Sequence, residues 1–168
     1  PSGNCRLCVV EIGNRSAAAC ITPACAGQEI RNNTPTLNEA RKAITQMLFI
    51  EGNHICPTCE KTGNCKLQAM AYFLGMLDDH FPQFYPSREL DASHPRILLD
   101  RSRCIVCDLC VRASREIDRK NVFVIAGRGT QAHLMVNSPS GKLVDSTIDV
   151  TDVATTICPV GAILIKEQ

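Results

Sequence analysis

The sequence has no tryptophan and only 4% aromatic residues. Its formal net charge is +1 over 168 residues, so it carries no general attraction to nucleic acid or to an acidic surface. No apolar run approaches the roughly 18 residues a membrane helix requires, and no membrane span is expected. The residues after its C-x2-C pairs are Val9, Glu60, Asp108 and Val111, never histidine, which excludes covalent haem attachment. Paired carboxylates, a nucleophile beside a base and a phosphate-cradling loop are missing too, so no substrate site of its own is expected. Gly127-Arg128-Gly129-Thr130-Gln131-Ala132 matches a dinucleotide fingerprint only nominally. The residues after it read as a strand ended by Pro139 and not as a helix. The chain begins at Pro1 and not at Met, which reads as a fragment or processed product whose targeting signals cannot be judged at that end. At this length, with 45% hydrophobic residues, there is room for one medium domain or two to three small ones, and disorder throughout is excluded.

Cysteine, by contrast, is abundant: there are 11, too many for packing alone. The number is odd and most sit two residues apart, a spacing poor for bridging each other and good for gripping one metal centre, so the compartment is taken as reducing and the thiols as ligands. Cys104-x2-Cys107-x2-Cys110 with a remote Cys158-Pro159 is the strongest signal. Three thiolates at that spacing wrap one face of a cubane and a fourth comes from elsewhere in the fold, an arrangement zinc sites rarely use. A two-cluster ferredoxin would place a further Cys where Ser114 stands, so one 4Fe-4S cluster is expected here. His54-x-Cys56-x2-Cys59-x5-Cys65 supplies three thiolates and an imidazole, which describes either a cluster site or a structural zinc site. Cys5-x2-Cys8 with Cys20 reads as part of a four-thiolate site whose first member would precede Pro1. Cys25 competes for that site, but reads better as a buried small hydrophobe.

Periodicity places these groups on a framework. Thr36-Leu37-Asn38-Glu39 reads as a capping box opening a helix with Leu37, Ala40, Ile44 and Leu48 on one face and a stop near Gly52. Leu67, Met70, Ala71, Leu74 and Leu77 suit a second helix, so the middle group lies on the loop between two helices. From Asp79 to Asp100 the pattern fails around Pro82, Pro86 and Pro95, which reads as an irregular connector. Val111 to Asp118 suits a short helix, and a final short helix is expected before Cys158. Val122 to Ala126, Ala132 to Val136 and Leu143 to Val150 suit strands, the last two joined by a turn around Ser138-Pro139-Ser140-Gly141. Arg101, Arg103, Arg112, Arg115, Arg119 and Lys120, interleaved with acids, read as a solvated face that also eases the packing of an anionic cluster or docks a partner.

Gly3-Asn4-Cys5-Arg6-Leu7-Cys8-Val9-Val10-Glu11, Ala19-Cys20, Cys56-Pro57-Thr58-Cys59, Gly63-Asn64-Cys65-Lys66-Leu67-Gln68, Arg103-Cys104-Ile105-Val106-Cys107 and Cys158-Pro159-Val160-Gly161-Ala162 together resemble the iron-sulfur electron-input subunit of respiratory complex I. Glu51-Gly52-Asn53-His54-Ile55-Cys56, and an end soon after Cys158, look more like the diaphorase iron-sulfur subunit of cytoplasmic NAD-reducing nickel-iron hydrogenases. The resemblance covers nearly the whole chain. It implies an α+β, multi-cluster protein: residues 1–34 as the remnant of a β-grasp 2Fe-2S ferredoxin-like domain, 35–78 as a helical domain, 79–100 as the connector and 101–168 as a bacterial-ferredoxin-like domain. Cys5, Cys8 and Cys20 match three of four 2Fe-2S ligands. His54, Cys56, Cys59 and Cys65 match one 4Fe-4S set, and Cys104, Cys107, Cys110 and Cys158 another. In complex I the histidine precedes its cysteine by four residues, where His54 stands only two before Cys56.

The function so implied is a wire: single electrons pass between a flavin-bearing NAD-oxidoreducing subunit and the small and large subunits of a [NiFe]-hydrogenase, in the cytoplasm. Exchanging a thiolate for the His54 imidazole removes a negative charge and should raise that cluster's potential. The alternatives are the cluster-bearing part of a complex I or NAD-dependent formate dehydrogenase subunit, and a structural zinc module that acts by interaction.

Overall fold

The computed structural model describes residues 3, 5–78 and 81–166. Pro1, Ser2, Asn4, Asp79, His80, Glu167 and Gln168, which include one residue of the first motif and the start of the expected connector, lie outside them. Among the described residues the architecture is α+β with three small antiparallel sheets. No helix among the described residues is long and apolar enough to cross a membrane.

The first sheet has the order β2-β1-β3, from β1 (Val9–Ile12), β2 (Arg15–Ala18) and β3 (Ile30–Arg31). Helix α1 (Pro35–Ile50) packs on it. Its cap is Thr34, two residues ahead of the expected box. The Thr34 hydroxyl accepts Leu37 N–H at 3.3 Å and donates to Glu11 Oε1 at 3.0 Å, and Pro35 sits in the first turn, where its missing N–H costs nothing. The buried face follows that shift. It is Leu37, Thr45, Gln46, Phe49 and Ile50; Ile44 and Leu48 are half-buried and Ala40 is exposed. Arg41 fixes the helix to the sheet by donating to the carbonyls of Val9 and Asn32, both at 2.6 Å, and of Leu7 at 3.3 Å.

Helix α2 (Lys66–Phe73) buries Leu67, Gln68 and Ala71. It stops before Leu77, which is 96% exposed and not part of the expected apolar face. The stretch read as irregular holds two strands. β4 (Leu90–Asp91) and β5 (Ile97–Asp100) join β8 (Ile163–Ile165) in the order β4-β5-β8, with Ile97 and Leu99 entirely buried. The His94-Pro95 corner that masks β5 is structural: His94 Nδ1 accepts the amides of Arg96 and Ile97, each at 3.1 Å.

Helix α3 (Leu109–Arg112) continues as one π turn over Ala113–Ile117, where the sequence predicts a short helix. Strands β6 (Phe123–Ala126) and β7 (His133–Val136) pair with each other. The strand expected at Leu143–Val150 is not formed: Leu143–Asp145 is a 3-10 turn. Its amides go to side chains and not to a ladder, Leu143 N–H to Asp91 Oδ2 at 2.8 Å and Val144 N–H to Ser93 Oγ at 3.0 Å. The short helix α4 (Val153–Thr156) precedes Cys158 as expected. Asp118 caps it from a distance, accepting Val153 and Ala154 N–H at 2.9 and 3.0 Å, and Lys120 grips Asp152 beside it at 2.7 Å. One continuous core runs from Phe49 and Leu67 through Ile97, Leu99, Leu134 and Leu143 to Val160 and Ile163, so the helical middle and the third segment are packed as one body.

Candidate metal centres

Cys104, Cys107, Cys110 and Cys158 line one pocket, otherwise walled mainly by apolar side chains including Ile125, Leu134 and Val160. The local backbone explains how closely spaced thiols face the same way. Val106 and Asp108 have φ of +52° and +67°, left-handed conformations that reverse the loop after each cysteine, and for β-branched Val106 this is strained. Val106 N–H points at Cys104 Sγ, 3.4 Å away. Cys110 lies in the first turn of α3 and Cys158 follows α4, two elements in direct contact. Burial pushes the Cys104, Cys107 and Cys110 thiols up, that of Cys107 to about 11, and the neighbouring sulfurs add to it. Four thiolates in such a cage need a positive core among them. Ser114, at the position of a second-cluster cysteine, is buried instead, and its hydroxyl accepts Val122 N–H at 2.7 Å.

His54, Cys56, Cys59 and Cys65 line a second pocket together with Phe49, Gln68, Arg103 and Gly161. The loop that carries them leaves α1 and is pinned where Asn53 N–H meets Ser102 O at 2.8 Å and Asn53 Nδ2 meets Pro86 O at 3.0 Å. The His54 ring stands edge-on to Phe49 with centroids 5.6 Å apart. Gly52 makes room for it, since a Cβ there would lie 2.5 Å from His54 Nε2 and 3.0 Å from Ser102 O. Cys56 opens a 3-10 turn through Thr58, and Cys65 begins α2. Gln68, buried on α2, accepts Gly63 N–H at 2.9 Å and so holds the loop between Cys59 and Cys65. Two links join this cavity to the other. Lys66 N–H donates to Pro159 O at 2.8 Å, and a Cβ on Gly161 would lie 2.9 Å from Cys59 Sγ.

The first group is only partly assembled. Strand pairing carries Cys8 towards Cys20, with Ala19 N–H on Cys8 O at 3.1 Å, and a hydrogen bond from the Cys8 side chain lowers the Cys20 thiol. Cys5 lines a groove with Glu51, Arg88, Cys104 and Val106. Cys25, expected to be buried, is exposed; it lies on a turn where its amide donates to Gln28 Oε1 at 3.2 Å. The basic stretch also departs from expectation. Arg101 is buried and donates to the carbonyls of Leu134 and Glu89, and Arg103 reaches the second cavity, while Arg112 and Arg115 pair with Glu116 at the surface. Spacing does not single out Gly52, Gly161, Gln68 and Arg103 as parts of the middle site, because they join it only through tertiary contact.

None of the eleven cysteines is in a disulfide. Among the described residues no three His, Cys, Asp or Glu side chains converge tightly enough to hold one metal ion. Soft thiolate donors, joined in the middle set by one imidazole, are the donor chemistry that iron-sulfur clusters take. Two family models match in the same places, the NADH-ubiquinone oxidoreductase-G iron-sulfur binding region over residues 41–80 and a 4Fe-4S single cluster domain over residues 97–165. These matches define an iron-sulfur protein of the 4Fe-4S kind.

Over 98% of its length the chain is 38% identical to the gamma subunit of the NAD-reducing hydrogenase HoxS of Cupriavidus necator, of which it spans 70%. It superposes with a TM-score of 0.95 and 51% identity on a chain of a crystal structure of NAD+-reducing [NiFe]-hydrogenase in the H2-reduced state, covering 98% of this chain and 70% of that one. It is also 32% identical to the G subunit of the NADH-quinone oxidoreductase of Rickettsia prowazekii, over 96% of this chain but only 24% of that protein. The chain belongs to the family of gamma subunits of NAD-reducing [NiFe]-hydrogenases, related to the iron-sulfur subunit of complex I.

Proposed function

We propose that this chain relays single electrons between a flavin-containing NAD-oxidoreducing subunit and the subunits of a [NiFe]-hydrogenase, in a cytoplasmic complex. The observation that carries the reading is the pair of four-donor cavities with a shared wall: Cys158–Ala162 and Arg103–Cys104 supply residues to both. In it, Cys104, Cys107, Cys110 and Cys158 hold one 4Fe-4S cluster and His54, Cys56, Cys59 and Cys65 the other. Cys5, Cys8 and Cys20 supply three of the four ligands of a 2Fe-2S cluster in a β-grasp-like segment. Bound clusters supply reversible one-electron uptake. The chain holds them in line, excludes water with the apolar side chains around the third group, and sets their potentials through ligand charge and hydrogen bonding. The higher similarity to hydrogenase chains than to the NADH-quinone oxidoreductase chain favours the hydrogenase over a complex I assembly.

The order of the centres in this reading is spatial and not sequential. Cys5 lines the groove at the Cys104–Val106 loop, and the third group in turn abuts the middle one. The relay therefore runs first, third, middle. Within it the neutral His54 imidazole raises the potential of the middle cluster.

The test is purification of the native complex with iron, acid-labile sulfide, nickel, zinc and flavin analysis, and EPR after dithionite. Two 4Fe-4S signals with nickel and flavin are expected. Stoichiometric zinc with no labile sulfide would sink the relay and favour the structural module.

A further inference from the structure

We propose that Arg103 is a positioning residue that ties the two 4Fe-4S sites together and selectively raises the reduction potential of the middle one, by donating an N–H from its guanidinium to Cys59 Sγ. The inference rests on the reading of Cys59 as a ligand of the middle cluster. Its geometric basis is specific. Arg103 Nη1 lies 3.7 Å from Cys59 Sγ, while the backbone of the same residue leads directly into Cys104 of the other set. The guanidinium is held from two further sides, its Nε by Asp100 Oδ2 at 2.9 Å and its Nη1 by Glu60 Oε2 at 2.5 Å.

These anchors are themselves fixed. Asp100 ends β5, where its amide donates to Ala162 O at 2.8 Å and its Oδ1 accepts Ser102 N–H at 3.0 Å. Glu60 directly follows Cys59. Gly161 lets the group approach, because a Cβ there would lie 2.9 Å from Cys59 Sγ and 3.4 Å from Arg103 Nη1. The Arg103 side chain is only 20% exposed, so its contact with the sulfur is poorly screened by water. A planar fork that meets two carboxylates and a sulfur at once is something lysine cannot reproduce.

The sign follows from charge. Reduction adds one negative charge to a cluster and its sulfurs. An N–H aimed at a ligand sulfur and a cation beside it both favour the reduced form, so the potential rises. Removing the guanidinium also leaves Asp100 and Glu60 without their cation, which acts in the same direction. The middle cluster feels the hydrogen bond directly, whereas the other feels only a charge on a neighbouring residue.

The experiment is a redox titration of the holo complex followed by EPR, for wild type, Arg103→Gln and Arg103→Lys, with iron and sulfide content measured alongside. R103Q is expected to shift the one-electron equilibrium of the middle cluster at least tenfold towards the oxidised form, a fall of about 59 mV. The other cluster should move clearly less, and R103K should fall between R103Q and wild type. Independently of any variant, wild-type complex grown on 15N-arginine should show a nitrogen coupling to the reduced middle cluster in pulsed EPR. An unmoved middle potential, equal shifts of both clusters, or no 15N coupling would overturn the proposal. If R103Q fails to assemble its clusters, the wild-type coupling decides. A wild-type complex without a middle-cluster signal would instead overturn the ligand assignment beneath it.

Discussion

Two single residues show how the chain uses buried polarity and open space. Asp91 is 1% exposed, yet its carboxylate accepts Ser93 N–H at 3.0 Å, Ser93 Oγ–H at 2.6 Å and Leu143 N–H at 2.8 Å. Burial pushes its carboxyl up, but these donors and nearby Arg101 outweigh it and leave the pKa lowered. The group therefore adds stability above the ordinary carboxylate pKa of about 3.9, and loses it only as pH falls through the lower folded value. Asp91→Asn sets an amide N–H against donors and should cost about 1–3 kcal/mol at neutral pH, read as a lower urea midpoint for loss of the visible cluster absorbance. Gly52 is the spatial counterpart. A methyl there meets His54 Nε2 and Ser102 O, so Gly52→Ala must displace the imidazole. The expected result is an altered or lost middle-cluster EPR signal with the Cys104 group's signal intact; two unchanged signals would show that His54 does not ligate.

At the scale of elements, packing overrides local pattern where proline confuses it. The Thr34-Pro35-Thr36 run offers two caps, and the one in use lies outside the proline, where an extended backbone precedes Pro and its ring suits the first turn. Thr34→Ala removes the cap and the tie to Glu11, and should lower stability by about 1 kcal/mol in the same urea titration. Strand β5 is hidden in the sequence because Ile97-Leu98-Leu99 is a short apolar run just after Pro95, too short to tell strand from loop without its partners Leu90–Asp91 and Ile163–Ile165. Since Leu99 is entirely buried, Leu99→Ala should cost about 2–5 kcal/mol, with a parallel loss of midpoint. Residues 143–150 show the converse. Leu143 and Ile148 are buried, but five residues apart they would face opposite sides of a strand, and they dock singly while side chains take the amides. That Cys104, Cys107 and Cys110 share one pocket, and His54, Cys56, Cys59 and Cys65 another, is legible because their spacing keeps them close along the chain. The supporting Arg103, Gly161 and Gln68 are not, because their role exists only once the Cys158 loop has folded back onto the middle segment.

For the whole molecule, the proposed relay implies an order of centres that differs from the order of the motifs along the chain. Cys5 shares a groove with the Cys104 loop, while no residue of the first cysteine group lines the cavity of His54 among the described residues. Tunnelling falls steeply with distance, so in the proposed relay the third group would be the bridge and the middle group an end. Cys56→Ser in the native complex tests this, since it should remove the middle centre and leave the other two. Whichever donor, NADH or H2, reduces the first centre of that variant should still reduce the Cys104 centre, as followed by freeze-quench EPR. Were the relay to follow the sequence, the middle centre would stand between them, and the same donor would leave the Cys104 centre oxidised.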